Sequence, residues 1–330
     1  MQKTDSDNPK TGNRAKLLLS DGFSTKRVGL ISFSGGETSA FMLQWLLKNK
    51  SDEYDFKVVF ANTGRENNQT LEFVKQCSEE FNVEIVWIES NVWGNVKDKT
   101  KHVVVNYETA TRNQDWKKRD NTPYEEMVKK YGLPNISNRF STRELKDRPI
   151  QSYMRSIGFK DLDYDIFIGI RYDELDRMVD EIKNPRNFVY PLIKWMKWTK
   201  KHVNFWWSQM PFRLLLKGWE GNCVTCYKKT LEKLMQIMID DAWKFEFDEY
   251  LEWKYEYYIP ESRIKKLVSN LKPIPTGPFR LFRNNNSVND IRQKAKKLKK
   301  KIKDDTVDVS FQTKLFEESE SCEVFSRCGS

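Results

Sequence analysis

Three short apolar runs, Val28–Phe33, Phe56–Asn62 and Val83–Glu89, are separated by two longer segments with helical patterning, about Thr38–Lys50 and Glu66–Phe81. Runs of this length, rich in β-branched and aromatic residues, read as strands. The segments between them are long enough to cross a sheet face and return the chain parallel. A further strand at Asp165–Ile170 follows a helix over about Thr142–Ile157. The expectation is an α/β fold: a doubly wound, mostly parallel, Rossmann-like sheet. Such sheets take ligands beyond the carboxyl ends of their strands. The loops Ser34-Gly35-Gly36, Asn62-Thr63-Gly64 and Gly169-Ile170-Arg171 all fall at such ends.

The rest of the chain divides by texture. Residues 1–26 read as a disordered polar tail and 27–192 as the α/β domain, with an irregular insertion or lid at about 90–137. Residues 193–286 form a helical region containing a Cys-x-x-Cys, with a helix capped by Thr199 and helices over Lys228–Tyr257. Residues 287–330 carry a basic helix and tail, with Ile291, Ala295, Leu298 and Ile302 as its docking stripe. Lys plus Arg number 57 against 47 Asp plus Glu, a formal net charge of +10 that favours polyanionic partners, nucleotides and nucleic acid among them. No run approaches the roughly eighteen apolar residues of a membrane span, and no signal core precedes Arg27, so a cytoplasmic location is expected. The oligomeric state is left open.

The loop after the first strand is the first candidate site. Its glycines let backbone approach a ligand, the following helix aims free N–H groups outward, and Ser34, Thr38 and Ser39 add hydroxyls. It is not a Walker A loop, because the spacing is wrong and there is no lysine. Cations must therefore come from elsewhere. Arg139, Arg143, Lys146 and Arg148 cluster around one helix start, and Arg171 ends the Asp165–Ile170 strand. The plainer alternatives are a tight strand-to-helix turn and a solvated basic face.

The five cysteines are Cys77, Cys223, Cys226, Cys322 and Cys328. In a reducing compartment a Cys-x-x-Cys points to metal or redox chemistry before a structural disulfide. Cys223 and Cys226 can offer two thiolates to a metal that wants four ligands, with Cys322 and Cys328 completing a four-sulfur set. As a redox pair beside Lys228 and Lys229 they would have lowered thiol pKa values. Two inert buried thiols are the third reading.

The stretches "SFSGGETSAF", "FANTGRENNQTLEFV", "RFSTRELKDRPI", "GIRYDEL", "YPLIKW", "WTKKHVNFWW" and "GNCVTCYKK" occur in an order that resembles the phosphoadenosine-phosphosulfate (PAPS) reductase family, within the adenine-nucleotide α-hydrolase-like superfamily. The likeness is greatest to its divergent phage and mobile-element members. It runs from about Val28 to Tyr227, and more weakly to about Ile302. It implies an adenine nucleotide ligand: PAPS, adenylyl sulfate or ATP. Ser34, Gly35, Gly36, Thr38 and Ser39 match the family's phosphate loop. Asn62, Thr63 and Gly64 match its second nucleotide-proximal turn, and Arg139, Lys146 and Arg171 match its basic positions.

Two departures stand out. ATP pyrophosphatases of the superfamily read Ser-Gly-Gly-x-Asp-Ser, and Thr38 stands where they have aspartate. Ser141 stands where many members have a cysteine that ligates an iron–sulfur cluster, and serine is a poor ligand for a soft metal. Cluster-free reductases use a cysteine in a C-terminal Glu-Cys-Gly context. Cys328-Gly329 sits in a similar place, with Arg327 replacing the glutamate.

The leading expectation is thus an enzyme of sulfur or adenylyl chemistry. One form is a reductase whose Cys328 attacks sulfur and is resolved by a thiol partner such as thioredoxin. The other is an ATP-dependent sulfur-transfer enzyme. Either could carry a 4Fe-4S cluster or zinc (Zn). The alternative class is a non-catalytic nucleotide-binding or nucleic-acid-associated protein using the basic C-terminal helix.

Overall fold

A computed structural model describes residues 26–92, 100–118, 120–178, 185–298 and 301–308. The chain runs β1 (Arg27–Phe33), α1 (Glu37–Lys50), β2 (Tyr54–Asn62), α2 (Asn68–Glu80), β3 (Ile85–Asn91) and β4 (Lys101–Val105). Next come α3 (Pro123–Tyr131), the single turn α4 (Phe140–Thr142), a π turn over Arg143–Asp147, and α5 (Arg148–Ser156). Then follow β5 (Asp165–Phe167), β6 (Phe188–Val189), α6 (Pro191–Lys194), α7 (Lys200–Ser208), α8 (Leu231–Asp240), α9 (Glu246–Tyr255), α10 (Glu261–Ser269) and α11 (Val288–Ala295).

The sheet order is β4-β3-β2-β1-β5-β6. Every pairing is parallel except β3 with β4. Both faces of the central strands are buried, which accounts for their continuous apolar sequence. Ile31, Val58 and Phe60 point to the side covered by Phe41, Leu46, Leu71, Phe73 and Trp207. Their neighbours Leu30, Val59 and Ala61 point to the other side, against Ile150, Met154, Tyr164 and Tyr190. A third core joins Met127 of α3 with Leu234 and Ile237 of α8, Leu251 of α9 and Ile291 of α11. This is the helical C-terminal part.

Three expectations need amendment. The insertion is not irregular throughout, because it supplies the edge strand β4 and the helix α3. The β4 run Val103-Val104-Val105 is short and polar-flanked, and Val103 and Val104 stay exposed, so no core periodicity marked it. The basic helix is shorter than its lysine run: α11 ends at Ala295, and Ile291 and Ala295 are its buried stripe. The helix over about Thr142–Ile157 holds a π turn. Pro149 has no N–H to donate to the Leu145 carbonyl, so the ladder widens just before it. The expected tail and the candidates Cys322 and Cys328 lie outside the described residues, apart from Lys26.

Candidate functional site

From β1 the chain adds β2 and β3 on one side and, much later, β5 and β6 on the other. Strand order therefore reverses at β1, and the crevice there is where an open α/β sheet binds its ligand. The Ser34-Gly35-Gly36 loop sits at that point. Gly35 has φ +75, and a Cβ there would lie 2.9 Å from Thr70 Cγ2 and from Val74 Cγ2, so neither conformation nor space admits a side chain.

Ser39, on the first turn of α1, closes the loop from within. Its hydroxyl donates to the Gly36 carbonyl (2.9 Å), accepts from the Ser34 amide (3.3 Å) and lies 2.9 Å from Ser34 Oγ. Thr38 is not idle where an aspartate is missing: Arg171, from the end of β5, donates to its Oγ1 at 3.1 Å. Arg171 thus reaches across the switch point, steadied by Asp173 and Glu174. The loop's own carboxylate, Glu37, is held by both nitrogens of the Arg213 fork, at 3.0 and 3.2 Å.

The turn after β2 is built differently. Asn62 is fully buried, donating to Glu89 Oε1 (2.6 Å) and the Thr111 carbonyl (2.9 Å). Thr63 gives its amide and its hydroxyl to the carboxylate of Glu66. Asn62, Thr63 and Gly64 are therefore committed to shaping the turn.

Onto this turn the Cys-x-x-Cys segment folds back, pairing through a single bridge before it turns. Glu66 and Cys223 form an antiparallel bridge. Asn67 N–H donates to the Asn222 carbonyl, and Val224 N–H to the Arg65 carbonyl, each at 2.8 Å. The Asn222 side chain then reaches to the first loop, donating to the Ser34 carbonyl at 2.7 Å. Gly36 makes room for it, since a Cβ there would meet Asn222 Nδ2 at 3.0 Å. One asparagine so ties all three stretches together.

Beside this ribbon lies a cavity of about 80 Å³, lined by Thr63, Ser141, Lys146, Cys223, Cys226 and Tyr227 among others. Lys146 projects from the π turn and stands 3.6 Å from Glu66 Oε1. Burial alone would depress its pKa, but the facing Glu66 and the two thiols hold it above the ordinary lysine value. Lys228 and Lys229 go the other way, lowered chiefly by burial. Of the four cations expected around the helix start, Arg143 and Arg148 are spent on the buried Glu144. Arg139 keeps an exposed side chain, donating from Nε to the Ile136 carbonyl. Of the expected cations, Lys146 lines this cavity and Arg171 reaches the first loop.

The thiols correct an expectation. Cys223 is pushed up to about 11, first by burial and then by Glu66, against the opposing pull of Lys146 and Lys229. The neighbouring lysines do not make it an acidic thiol. Cys77 is buried in α2, its thiol likewise far above the usual range because of burial. The metal reading has two thiols to stand on: among the described residues no three His, Cys, Asp or Glu side chains converge. His102 pairs with Ser152 and His202 with Thr199. Ser141, in the place of a family ligand, is hydrogen-bonded to Tyr227 at 2.7 Å. The described residues do not by themselves fit a zinc or 4Fe-4S centre. A four-sulfur set would need Cys322 and Cys328, which lie outside them.

Sequence reasoning missed the support. Arg65 is buried with Asp248, Nη2 to Oδ1 at 2.6 Å, and also donates to Thr225 at 2.5 Å. Its guanidinium lies 4.9 Å from the Phe247 ring centre and 5.2 Å from that of Tyr124. Asp248 is 183 residues away from Arg65, so no local pattern could have joined them. Asn222 was equally silent, an asparagine in a loop that already held two cysteines.

A doubly wound sheet with a glycine-serine loop at its switch point and a second segment laid over the next strand end defines an open-sheet α/β protein. The chain belongs to the phosphoadenosine phosphosulfate reductase domain family, whose model matches residues 29–206, from β1 into α7. It is also similar to a protein of Escherichia phage lambda, "Uncharacterized nin region protein ORF290", at 30% identity over 208 residues, 63% of this chain and 68% of the phage protein. The resemblance to divergent phage members thus holds. Among the described residues no helix is long and apolar enough to cross a membrane.

Proposed function

We propose that this protein binds an adenine nucleotide across the carboxyl ends of β1, β2 and β5 and uses it in sulfur or adenylyl chemistry. The observation that carries the reading is the Asn222 tie. It brings the Ser34 loop, the Glu66 turn and the Cys223–Cys226 ribbon to one crevice, with Arg171 at the first loop and Lys146 facing Glu66. Helix and loop N–H groups, with Ser34 and Thr38 hydroxyls, receive phosphate. Arg171 and Lys146 supply the positive charge that the loop lacks. PAPS or adenylyl sulfate suits the site better than ATP cleavage, because Glu37 is occupied by Arg213 and Thr38 stands in the aspartate position.

In the reductive form, the Cys328 thiolate attacks the sulfonate sulfur and its S–S bond forms as the S–O bond to the nucleotide phosphate breaks. The nucleotide leaves with the electron pair. A dithiol partner such as thioredoxin then attacks Cys328 sulfur, releasing sulfite and ending as a disulfide. Cys223 is a poor choice of nucleophile at neutral pH, since its pKa near 11 keeps it protonated.

Calorimetry with PAPS, adenylyl sulfate, ATP and AMP tests the binding claim, with the sulfated nucleotides expected to bind most tightly. Heat from none of them would overturn it. Sulfite release from PAPS with reduced thioredoxin, abolished in Cys328→Ser, is the outcome expected of the reductase. Turnover that survives the substitution removes Cys328 as the nucleophile.

A further inference from the structure

The ribbon that carries the cysteines has a second side. Cys223 and Thr225 line the cavity described above, whereas Val224 lines another. This second cavity, about 280 Å³, lies between the first turn of α2, the loop at residues 112–114 and the segment at residues 241–244. It shares Glu66 and Val224 with the ribbon, but none of Ser34, Thr38, Lys146 and Arg171 lines it.

Its lining is unusual in kind. Five carboxamides border it: Asn67, Asn68 and Gln69 at the start of α2, and Asn113 and Gln114 from the loop. Asn113 is 8% exposed, and its side-chain Oδ1 is buried without a hydrogen-bond partner. A buried acceptor left unpaired is costly, and a ligand N–H relieves that cost. Trp243 contributes an indole that remains 44% exposed although it borders a cavity. Among the charged groups, Arg112 and Lys244 line it together with Glu66, Glu72 and Asp241.

Carboxamides read the mixed donor and acceptor edge of a base, and an exposed aromatic ring receives its face. We propose that this cavity is a nucleobase-binding site, separate from the switch-point crevice. Its ligand is planar and presents at least one N–H donor to Asn113. The base can arrive free, as a nucleotide, or on a single strand whose phosphates lie beyond the cavity. The two sources share this chemistry and separate in the experiment.

The test is titration of the full chain with the four ribonucleosides, their 5′-monophosphates and short single-stranded DNA and RNA, read by calorimetry and by saturation-transfer NMR. Trp243→Ala is expected to weaken base binding about tenfold or more, the range of a lost stacking platform. Asn113→Leu is expected to weaken it similarly while leaving the melting temperature unchanged or higher, because it removes an unpaired buried acceptor. A merely structural asparagine would instead lower the melting temperature. Ser39→Ala, in the switch-point loop, is expected to leave this binding intact. Tighter binding of oligonucleotides that falls steeply with salt assigns the site to single strands, and equal binding of nucleosides assigns it to free nucleotides. No titration by any base overturns the proposal. So does binding that survives both Trp243→Ala and Asn113→Leu but is lost in Ser39→Ala, which would place the ligand in the switch-point crevice alone.

Discussion

The two loops that meet through Asn222 are made of different materials. The loop after β1 is backbone and hydroxyl, with Gly35 giving the shape and Ser39 holding it by hydrogen bonds of 2.9 to 3.3 Å. Its charge is borrowed from Arg171. The ribbon after β2 rests on ion pairs: Arg65 with Asp248, both buried, and a half-buried Lys146 with the buried Glu66. A backbone loop is rigid because few conformations fit it. An ionic ribbon is held only while each charge has its partner. The first can therefore be damaged locally, and the second can be unfastened from a distance.

The widest gap between them opens at Asp248. Asp248→Ala leaves Arg65 buried beside two aromatic rings with Thr225 as its remaining polar partner. A loss of roughly 3–5 kcal/mol is expected, as for other buried pairs broken on one side. Urea unfolding measures it. Loss below about 1 kcal/mol would mean that the ribbon does not depend on its ions and that the comparison fails.

The next largest effect is a response to pH. Glu252 of α9 accepts the amides of Val288 (3.0 Å) and Leu281 (3.4 Å) and is raised from 4.5 to about 7, first by burial. The folded state holds this proton more tightly than the unfolded chain does. Its contribution is therefore complete below about pH 4.5 and is lost as pH rises through about 7. The layer that carries Asp248 should lose about 3 kcal/mol between about pH 5 and pH 8 from this group. Glu252→Gln should flatten the slope of stability against pH over that window. An unchanged slope would remove Glu252 as its source.

What the sequence made legible follows the same division. The strands β1, β2 and β3 were readable because both sheet faces are buried and each run is continuous. The loop after β1 was readable because glycine and serine act within five residues of one another. The ribbon was not. Glu66 meets Cys223, and Arg65 meets Asp248, only after the chain has folded through the helical layer. The cysteines were visible as a motif, yet their expected acidity was judged from Lys228 and Lys229 alone. Burial and Glu66, which no local reading contains, reversed the direction for Cys223. The β4 strand was missed for another reason: an edge strand with exposed valines has neither the continuity nor the alternation that marks a core strand.

A smaller effect is expected inside the first loop. Ser39→Ala strands the Ser34 amide, while the Gly36 carbonyl keeps the Ala40 N–H, a cost of about 1–2 kcal/mol. Affinity for the nucleotide should fall by more than that figure implies, because the loop's N–H groups lose their fixed aim. Calorimetry and unfolding on the same variant separate the two. Equal losses would mean that Ser39 stabilises the fold without shaping the site.

The smallest single effect belongs to the link itself. Asn222→Ala removes one hydrogen bond, to the Ser34 carbonyl, while the backbone pairing of Asn222 with Asn67 remains, so about 1 kcal/mol of stability is expected to go. Its importance lies in coupling. If Asn222 transmits the position of the ribbon to the loop, then Asn222→Ala and Ser39→Ala act on the same few atoms around Ser34. Their combined effect on nucleotide affinity should depart from the sum by about 0.5 kcal/mol or more. The pair Asn222→Ala and Asp248→Ala should also be coupled, since a loosened ribbon has less for Asn222 to transmit. Strict additivity in both cycles would make the loop and the ribbon independent neighbours, and the crevice would then be two sites that happen to adjoin.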